Sequence, residues 1–447
     1  MSKSHTSDRI VIVGGGISGL SIAARLAQAG LPVTVLEASQ LGVGASTRNQ
    51  GWLYSGGWFA REQPELAHAC YESLLQTMSF CPESLEPGQE DMAYVFSKPD
   101  TSTEHWTRAW QRARIPYRDL AVSKLLKSVP GLAAAEVQHA FRLPDRAIRV
   151  DVLLKSLATA AQNAGAEIRT ATAVSDLLVP HDAVQGVATR FGEEITARMV
   201  ILAGNFHTVR LWPEAVQKAA RDASGCRLES FKLHLAAVKP ALASRSLCVV
   251  DADGFNHIPH ATASVFGTSR WLPTSHGHDD QVAPVEAEQL RNYMQRFFPE
   301  LAKRPQEIIE WAGTTMQAIW PQQGEPSFIG RPTVVDHAQD ASQTRNLLTV
   351  FPGRATLWSY LAEETLKVVL QKLDRTERKV AAPPWGTLTE ELADVVPHAT
   401  REFRNVVLYH CLQCGKVTER EAAISTPVCC GAVMDRAGER TVREAPV

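Results

Sequence analysis

The stretch "RIVIVGGGISGLSIAARLAQAGLPVTVLEAS", Arg9 to Ser39, decides how the rest of the chain is read. Ile10 to Val13 is a continuous apolar, β-branched run, the pattern of a strand buried on both faces of a parallel sheet. Gly14, Gly16 and Gly19 follow as G-x-G-x-x-G. In this pattern Gly14 permits a tight turn, Gly16 lets the backbone come close to a pyrophosphate, and Gly19 lets the next helix pack on the strand. Leu20, Ala23, Ala24 and Ala27 recur at helical spacing from Ile17 to Ala29, and Gly30 stops the helix. The helix N-terminus then turns its positive end toward a phosphate. A second strand, Val33 to Leu36, ends in Glu37, an acid placed about 20 residues past the glycines, where it takes a ribose hydroxyl pair and repels a 2′-phosphate. Strand, turn, helix and terminal acid together specify a dinucleotide-binding βαβ unit.

The chain has 447 residues, too many for one ordinary core, so two or three domains are expected. With 46 Lys and Arg against 48 Asp and Glu, the net charge is −2, which gives no sign of a nucleic-acid or membrane-surface binder. No stretch approaches the length of a bilayer span and "MSKSHTSDR" lacks a signal-type apolar run, so the expectation is a cytoplasmic protein. Disulfides are then disfavoured. Cys70, Cys81, Cys226 and Cys248, scattered among apolar neighbours, read as small buried hydrophobes.

No second fingerprint of this kind stands downstream, so the unit serves one dinucleotide. The loop "LGVGASTRNQGWLYSGG", Leu41 to Gly57, follows the second strand directly and is rich in Gly, Ser, Thr, Arg and Asn. Such a loop wraps an extended ligand with backbone and hydroxyl donors, which favours FAD. The following segments carry a resemblance. "RVDVLLKSLATAAQNAGAEI" (Arg149 to Ile168), "ITARMVILAGN" (Ile195 to Asn205), "PSFIGRP" (Pro326 to Pro332) and "NLLTVFPGRATLWSYLAEET" (Asn346 to Thr365) resemble, in order and spacing, the D-amino-acid oxidase (DAO) superfamily of FAD-dependent oxidoreductases. The likeness covers most of residues 8 to 375. It implies an α/β fold: a Rossmann-type FAD-binding domain from segments of about 8–59, 149–205 and 326–375, with an inserted α+β substrate domain from about 60–148 and 206–325. It further implies FAD contacts at Gly14, Gly16, Ile17, Ser18, Gly19, Glu37, Ala45, Ser46, Arg48, Asn49, Gly51, Val174, Ala203, Gly204, Gly330, Gly353, Arg354, Ala355 and Thr356. Without the family, Leu153, Leu154, Leu157 and Ala161 still mark an amphipathic helix, and "KLHLAAV" and "SVFGTS" alternate as antiparallel strands do.

Such a family passes a hydride from a carbon next to nitrogen or oxygen to the flavin, while the protein positions the substrate. The resemblance implies a small amine or amino acid as substrate, with oxygen or an electron carrier as acceptor. An anionic substrate needs a cation, and Arg suits a carboxylate because it binds as a fork. Amino-acid oxidases of this family often place that Arg on the strand before the "P-x-I-G" segment, where this chain has Thr314 and Thr315. Arg354, in "FPGRATL", is the first candidate in its place, and Arg48 is the second. "TRNQGWLYSGGWFAREQPELAHACYESLLQTMSFC" (Thr47 to Cys81) also resembles the L-2-hydroxyglutarate and glycerol-3-phosphate dehydrogenase branch. A hydroxyl substrate wants a base near neutral pH, and "DGFNHIPHA" offers His257 and His260, as a catalytic candidate or as a pair without a role. Of Trp58, Trp271, Trp311 and Trp320, one is expected at the site and the rest in packing. The competing class is a non-catalytic flavin and zinc scaffold or sensor.

After the charged run "KLDRTERK", the pair Pro383 and Pro384 marks a boundary, with residues 381–404 read as a linker and 405–447 as a separate unit. Cys411-x-x-Cys414-Gly forms one thiolate knuckle, and Cys429-Cys430-Gly a second. Four thiolates suit one zinc or iron ion. "YHCLQCGKVTEREAAISTPVCCGAVM" (Tyr409 to Met434) resembles desulforedoxin. That likeness implies an FeS4 electron station beside the flavin, whereas zinc would make the tail structural.

Overall fold

In the computed structural model, the described residues are 8–89, 91–222, 226–274, 281–303, 307–319, 329–375 and 380–386, with the backbone of strands between 403 and 443. The opening stretch folds as read. Strand β1 (Ile10–Val13) runs into helix α1 (Ile17–Gln28) and strand β2 (Val33–Leu36). These two strands lie parallel, Ile10 opposite Val33 and Val13 opposite Leu36. They sit inside a six-stranded sheet whose order is Thr333–Asp336, Leu347–Phe351, Met199–Leu202, β1, β2, Glu167–Arg169. All pairings in it are parallel except the outermost, Thr333–Asp336 against Leu347–Phe351.

A sheet buried on both faces needs apolar cover on both. On one side α1 packs with the helices Val150–Asn163 and Trp358–Lys372, burying Leu20, Leu26, Leu157, Leu361 and Val369 completely. Each such side chain contributes about 1.5–3 kcal/mol relative to exposure. Gly19 makes the closeness possible: a Cβ there would stand 1.9 Å from the Gly14 carbonyl oxygen. The other face carries Val11, Leu36, Val200, Leu202 and Trp212.

The second body is a nine-stranded sheet. Its frame is a long antiparallel pair, Arg227–Lys239 against Glu307–Ile319, in register from Arg227 opposite Ile319 to Lys239 opposite Glu307. The expected antiparallel strands are therefore present, and "SVFGTS" supplies Ser264–Gly267, paired with the same long strand. An aromatic cluster including Phe96, Trp106, Trp110 and Phe141 fills one face of this sheet.

One expectation changes. Residues 381–386, read as linker, are docked on the first body. Arg25 Nη1 donates to the Ala381 carbonyl at 2.9 Å, Gln28 Nε2 donates to Ala382 at 2.8 Å, and Trp385, 1% exposed, packs edge-on against Trp358. An indole buried that far holds the chain to the core. Further on, Phe403–His410 pairs antiparallel with Val417–Glu421 and Asp435–Arg443, and Val428–Cys429 with Ala432–Val433. Cys411, Cys414 and Cys430 lie outside the described residues, and of Cys429 the backbone alone is described. Among the described residues no cluster of His, Cys, Asp or Glu forms a metal site, and no helix is long and apolar enough to cross a membrane.

Candidate functional site

A cavity of about 700 Å³ runs between the two bodies, from Gly14 and Glu37 at one end to Tyr54, Thr314 and Arg354 at the other. The first end is backbone. Gly14 takes φ +113°, and a Cβ on it would meet the Ala203 carbonyl oxygen at 2.8 Å. A Cβ on Gly15 would strike Leu41 and Glu37, and one on Gly16 the Ser46 hydroxyl at 2.9 Å. The Glu37 carboxylate is held from behind, accepting from Gly15 N at 2.7 Å and Ser39 N at 2.9 Å. Ser46 Oγ accepts from Ile17 N at 3.0 Å, tying the loop after β2 to the helix start. The N-cap residue of α1, Gly16, has no side chain to cap the helix, whose N-terminal residues Ile17 and Ser18 line the cavity.

The far end is built from side chains. Arg354 follows the strand Leu347–Phe351 and the turn at Gly353, whose φ is +65° and whose missing Cβ makes room for the Gly330 and Arg331 carbonyls. Its Cζ lies 4.2 Å from the Phe59 ring centre and 5.7 Å from that of Tyr54, a cation held over two aromatic faces. Burial lowers the affinity of this guanidinium for its proton. Burial likewise raises the Tyr54 phenol well above its ordinary range, so it is neutral at physiological pH. Tyr54 N donates to Thr356 Oγ1 at 3.2 Å, which joins the two walls. Beneath them lies Asp145, fully buried, accepting from Trp52 Nε1 at 2.9 Å, Ser55 N at 3.0 Å, Tyr94 OH at 3.2 Å and Ser55 Oγ. Burial raises the pKa of this carboxyl, and the Ser55, Trp52 and Tyr94 donors offset part of the rise.

Most residues expected at the cofactor line the cavity: Gly14, Gly16, Ile17, Ser18, Glu37, Ala45, Ser46, Arg48, Asn49, Val174, Ala203, Gly204, Gly353, Arg354, Ala355 and Thr356. Three do not. Gly19 acts behind the lining, in helix packing. Gly330 is a neighbour of the Gly353 turn and donates to Gln317 Oε1 at 3.0 Å. Gly51, at φ +69°, faces the His260 ring.

His257 requires a correction. It sits fully buried on the strand Phe255–Pro259, with Nδ1 3.2 Å from the Arg245 carbonyl, Nε2 2.7 Å from Ser264 Oγ, and its ring beside Phe266 and Phe298. Burial pushes its pKa down to about 4. A neutral histidine in an aromatic core, away from the cavity, is a packing residue. Trp271 lines the cavity; Trp311 donates from Nε1 to the Arg48 carbonyl at 3.1 Å, and Trp320 is outside the described residues.

Sequence reasoning missed Tyr54, Gln50 and Asn205 as wall residues. Asn205 has φ +52°, accepts from Met316 N at 3.1 Å and donates to the Thr314 carbonyl at 3.4 Å, so one amide ties the nucleotide sheet to the long antiparallel pair. Asn directly after a Gly at a strand end is the one signal that marks it, since Asn tolerates left-handed backbone.

The model of the family described as FAD dependent oxidoreductase, DAO, matches residues 9–351. Anaerobic glycerol-3-phosphate dehydrogenase subunit A1 of Haloferax volcanii is 30% identical over 187 residues, 40% of this chain and 31% of that protein; the match thus spans about a third of that relative's length. Glycine oxidase of Pseudomonas aeruginosa is 29% identical over 321 residues, 69% of this chain and 82% of that protein. The crystal structure of glycine oxidase from Geobacillus kaustophilus shares the fold, with a TM-score of 0.62 at 20% identity, covering 86% of this chain and 99% of that one. The cavity suits an extended dinucleotide: glycine backbone where a pyrophosphate must approach closely, a helix N-terminus beside it, and Glu37 at the end of β2.

Proposed function

This chain belongs to the DAO family of FAD-dependent oxidoreductases, and from that premise we propose that it oxidises a small amine or amino acid bearing one carboxylate. One observation carries the choice of substrate. The far end of the cavity offers a single half-buried cation, Arg354, and, among the described residues, no histidine; His207, the one imidazole on the lining, is exposed, as are Arg48 and Arg210. A phosphate dianion draws on several cationic donors, whereas one guanidinium matches a carboxylate. An alcohol must lose a proton to a base as its C–H bond breaks. An amine arriving unprotonated already has the lone pair that this step needs.

Bound FAD would supply the electron acceptor, a two-electron sink for the hydride that leaves the carbon next to nitrogen. The chain's part is placement. Glu37, Ser46 and the Gly14–Gly16 backbone hold the nucleotide end. Arg354, fixed over Phe59 and Tyr54, orients the carboxylate, and the walls that include Leu233, Leu235 and Trp271 exclude water from the reacting carbon. The second reading, oxidation of a 2-hydroxy acid or glycerol 3-phosphate, is supported by the Haloferax relative's name and by the resemblance of Thr47 to Cys81.

The two readings separate in an anaerobic panel. Bleaching of the flavin absorbance by amino acids, and none by glycerol 3-phosphate or 2-hydroxy acids, is expected; the reverse pattern replaces the first reading with the second, and no bleaching by any of them favours a scaffold or sensor. Arg354→Ala should raise the Michaelis constant for the active carboxylate by about tenfold or more while FAD stays bound. Whether oxygen or a carrier reoxidises the flavin is read from turnover in air. For the tail, the spacing of Cys411, Cys414, Cys429 and Cys430 supports one bound zinc or iron ion. Metal analysis should return about one ion per chain, and a chain free of both metals sinks that assignment.

A further inference from the structure

His260 is held between a backbone carbonyl oxygen and a carboxyl oxygen. Its Nε2 is 3.0 Å from the Gln50 carbonyl oxygen, and its Nδ1 is 2.7 Å from Glu86 Oε1, with Glu86 buried. A neutral imidazole has one N–H and satisfies one acceptor. Both contacts require one further proton on the pair, whether it rests on the ring as imidazolium or on the carboxyl. The same ring occupies the space that Gly51 leaves open: a Cβ there would be 2.6 Å from His260 Cε1 and 2.6 Å from the Ile148 carbonyl oxygen. Gly51 in turn accepts from Ile148 N at 2.8 Å, and its own N–H donates to Asn49 Oδ1 at 2.8 Å. Gln50 lines the cavity, between Asn49 and Trp52.

We propose that His260 and Glu86 form a positioning pair for the FAD site: a proton held between them fixes the Gln50 carbonyl, and with it the wall from Arg48 to Tyr54. The proposal rests on the cavity being the FAD site. Other charged groups around the pair are accounted for. His257, on the strand Phe255–Pro259, is neutral at physiological pH because burial lowers its pKa. Arg149, next to Ile148, turns its guanidinium to the Glu83 carbonyl, and Arg48 is exposed. Gln89, three residues after Glu86, is uncharged and donates to the Pro259 carbonyl at 2.8 Å.

The sign follows from the count of protons. The wall is fixed in the protonated pair and loosens as pH rises and the shared proton leaves. The ring's one remaining N–H then goes from Nδ1 to the Glu86 carboxylate, a bare Nε2 faces the Gln50 carbonyl oxygen, and the Gln50 contact is lost. In Glu86→Gln the side-chain amide donates to Nδ1, so a neutral ring keeps its Nε2–H on Gln50 at every pH. The experiment titrates apoprotein with FAD across pH 6 to 10, following quenching of flavin fluorescence and the visible circular dichroism of the bound flavin. Wild type is expected to lose about tenfold in FAD affinity over the titration of the pair. His260→Gln should bind about tenfold more weakly at neutral pH with a flat profile, and Glu86→Gln should also be flat. A Glu86→Gln profile that bends as wild type does overturns the proposal, as does wild-type binding by a folded His260→Gln. If His260→Gln does not fold, the Glu86→Gln profile decides alone. Wild type that binds no FAD at any pH overturns the reading of the cavity itself, an outcome distinct from either variant result.

Discussion

The two ends of the cavity are made differently. The end at Gly14 and Glu37 comes largely from one stretch of chain, closed by Ala203 and Gly204, and works mainly through backbone: N–H groups, a helix terminus and the absence of Cβ atoms. The end at Tyr54, Thr314 and Arg354 is gathered from three remote segments and works through side chains whose properties come from burial beside one another. A site made of backbone is written in spacing, and a site made of converging side chains is written only in the fold.

Four substitutions probe that contrast. Gly19→Val places Cβ inside the Gly14 carbonyl, where nothing flexible can give way, so it should cost ~3 kcal/mol or more and lower the thermal midpoint sharply. A variant as stable as wild type would break the claim that close packing shapes the local end. His257→Gln should act on stability alone. The folded-state pKa is about 4, below the ordinary value, so its share of stability is present above about pH 6.5 and is lost as pH falls toward 4, by up to ~3 kcal/mol. Thermal unfolding of the two proteins between pH 7 and 4.5 should show a shallower acid limb for the variant, with turnover within about threefold at pH 7.5; a large loss of turnover would return His257 to the site. Glu37→Arg should weaken FAD binding by about tenfold to a hundredfold, measured by dialysis, because an acceptor fixed by two backbone N–H groups is replaced by a cation. Equal weakening by Arg354→Ala would erase the division of labour between the ends. Smallest is Trp311→Phe, which removes one hydrogen bond to the Arg48 carbonyl and should raise the FAD dissociation rate by a factor of about five, ~1 kcal/mol.

The first strand, helix and second strand were legible because each decision there is local: β-branched residues for a doubly covered strand, alanines for a tightly packed helix, glycines where atoms approach. The antiparallel sheet was legible as a class from alternation, yet its frame pairs Arg227 with Ile319, a register that no local pattern states. Gly51 was recognised as a necessary glycine for the wrong reason. Its crowding neighbour is His260, brought up by a distant strand. His257 stayed open between two roles because a histidine in a short apolar strand looks the same whether it faces ligand or core, and Phe298, which packs beside it, arrives from elsewhere. The run before Trp385 looked like a linker by its prolines, but composition cannot show that a single indole finds a slot between Phe80 and Trp358.

The interleaving of the nucleotide sheet also bears on how the protein is made. Strand β1 leaves the ribosome well before its neighbour Met199–Leu202, and Leu347–Phe351, which pairs with that neighbour and leads into Arg354, follows later still. Until then β1 and β2 have each other but an uncovered edge, with apolar faces waiting for the helices at Val150–Asn163 and Trp358–Lys372. The cavity proposed for FAD therefore has its full lining only once Arg354 has been synthesised, and a ligand there can reward the finished sheet but not guide its beginning. During translation the nascent dinucleotide unit is a half-built sheet with an open edge, the kind of surface that invites pairing with other chains until its later strands arrive.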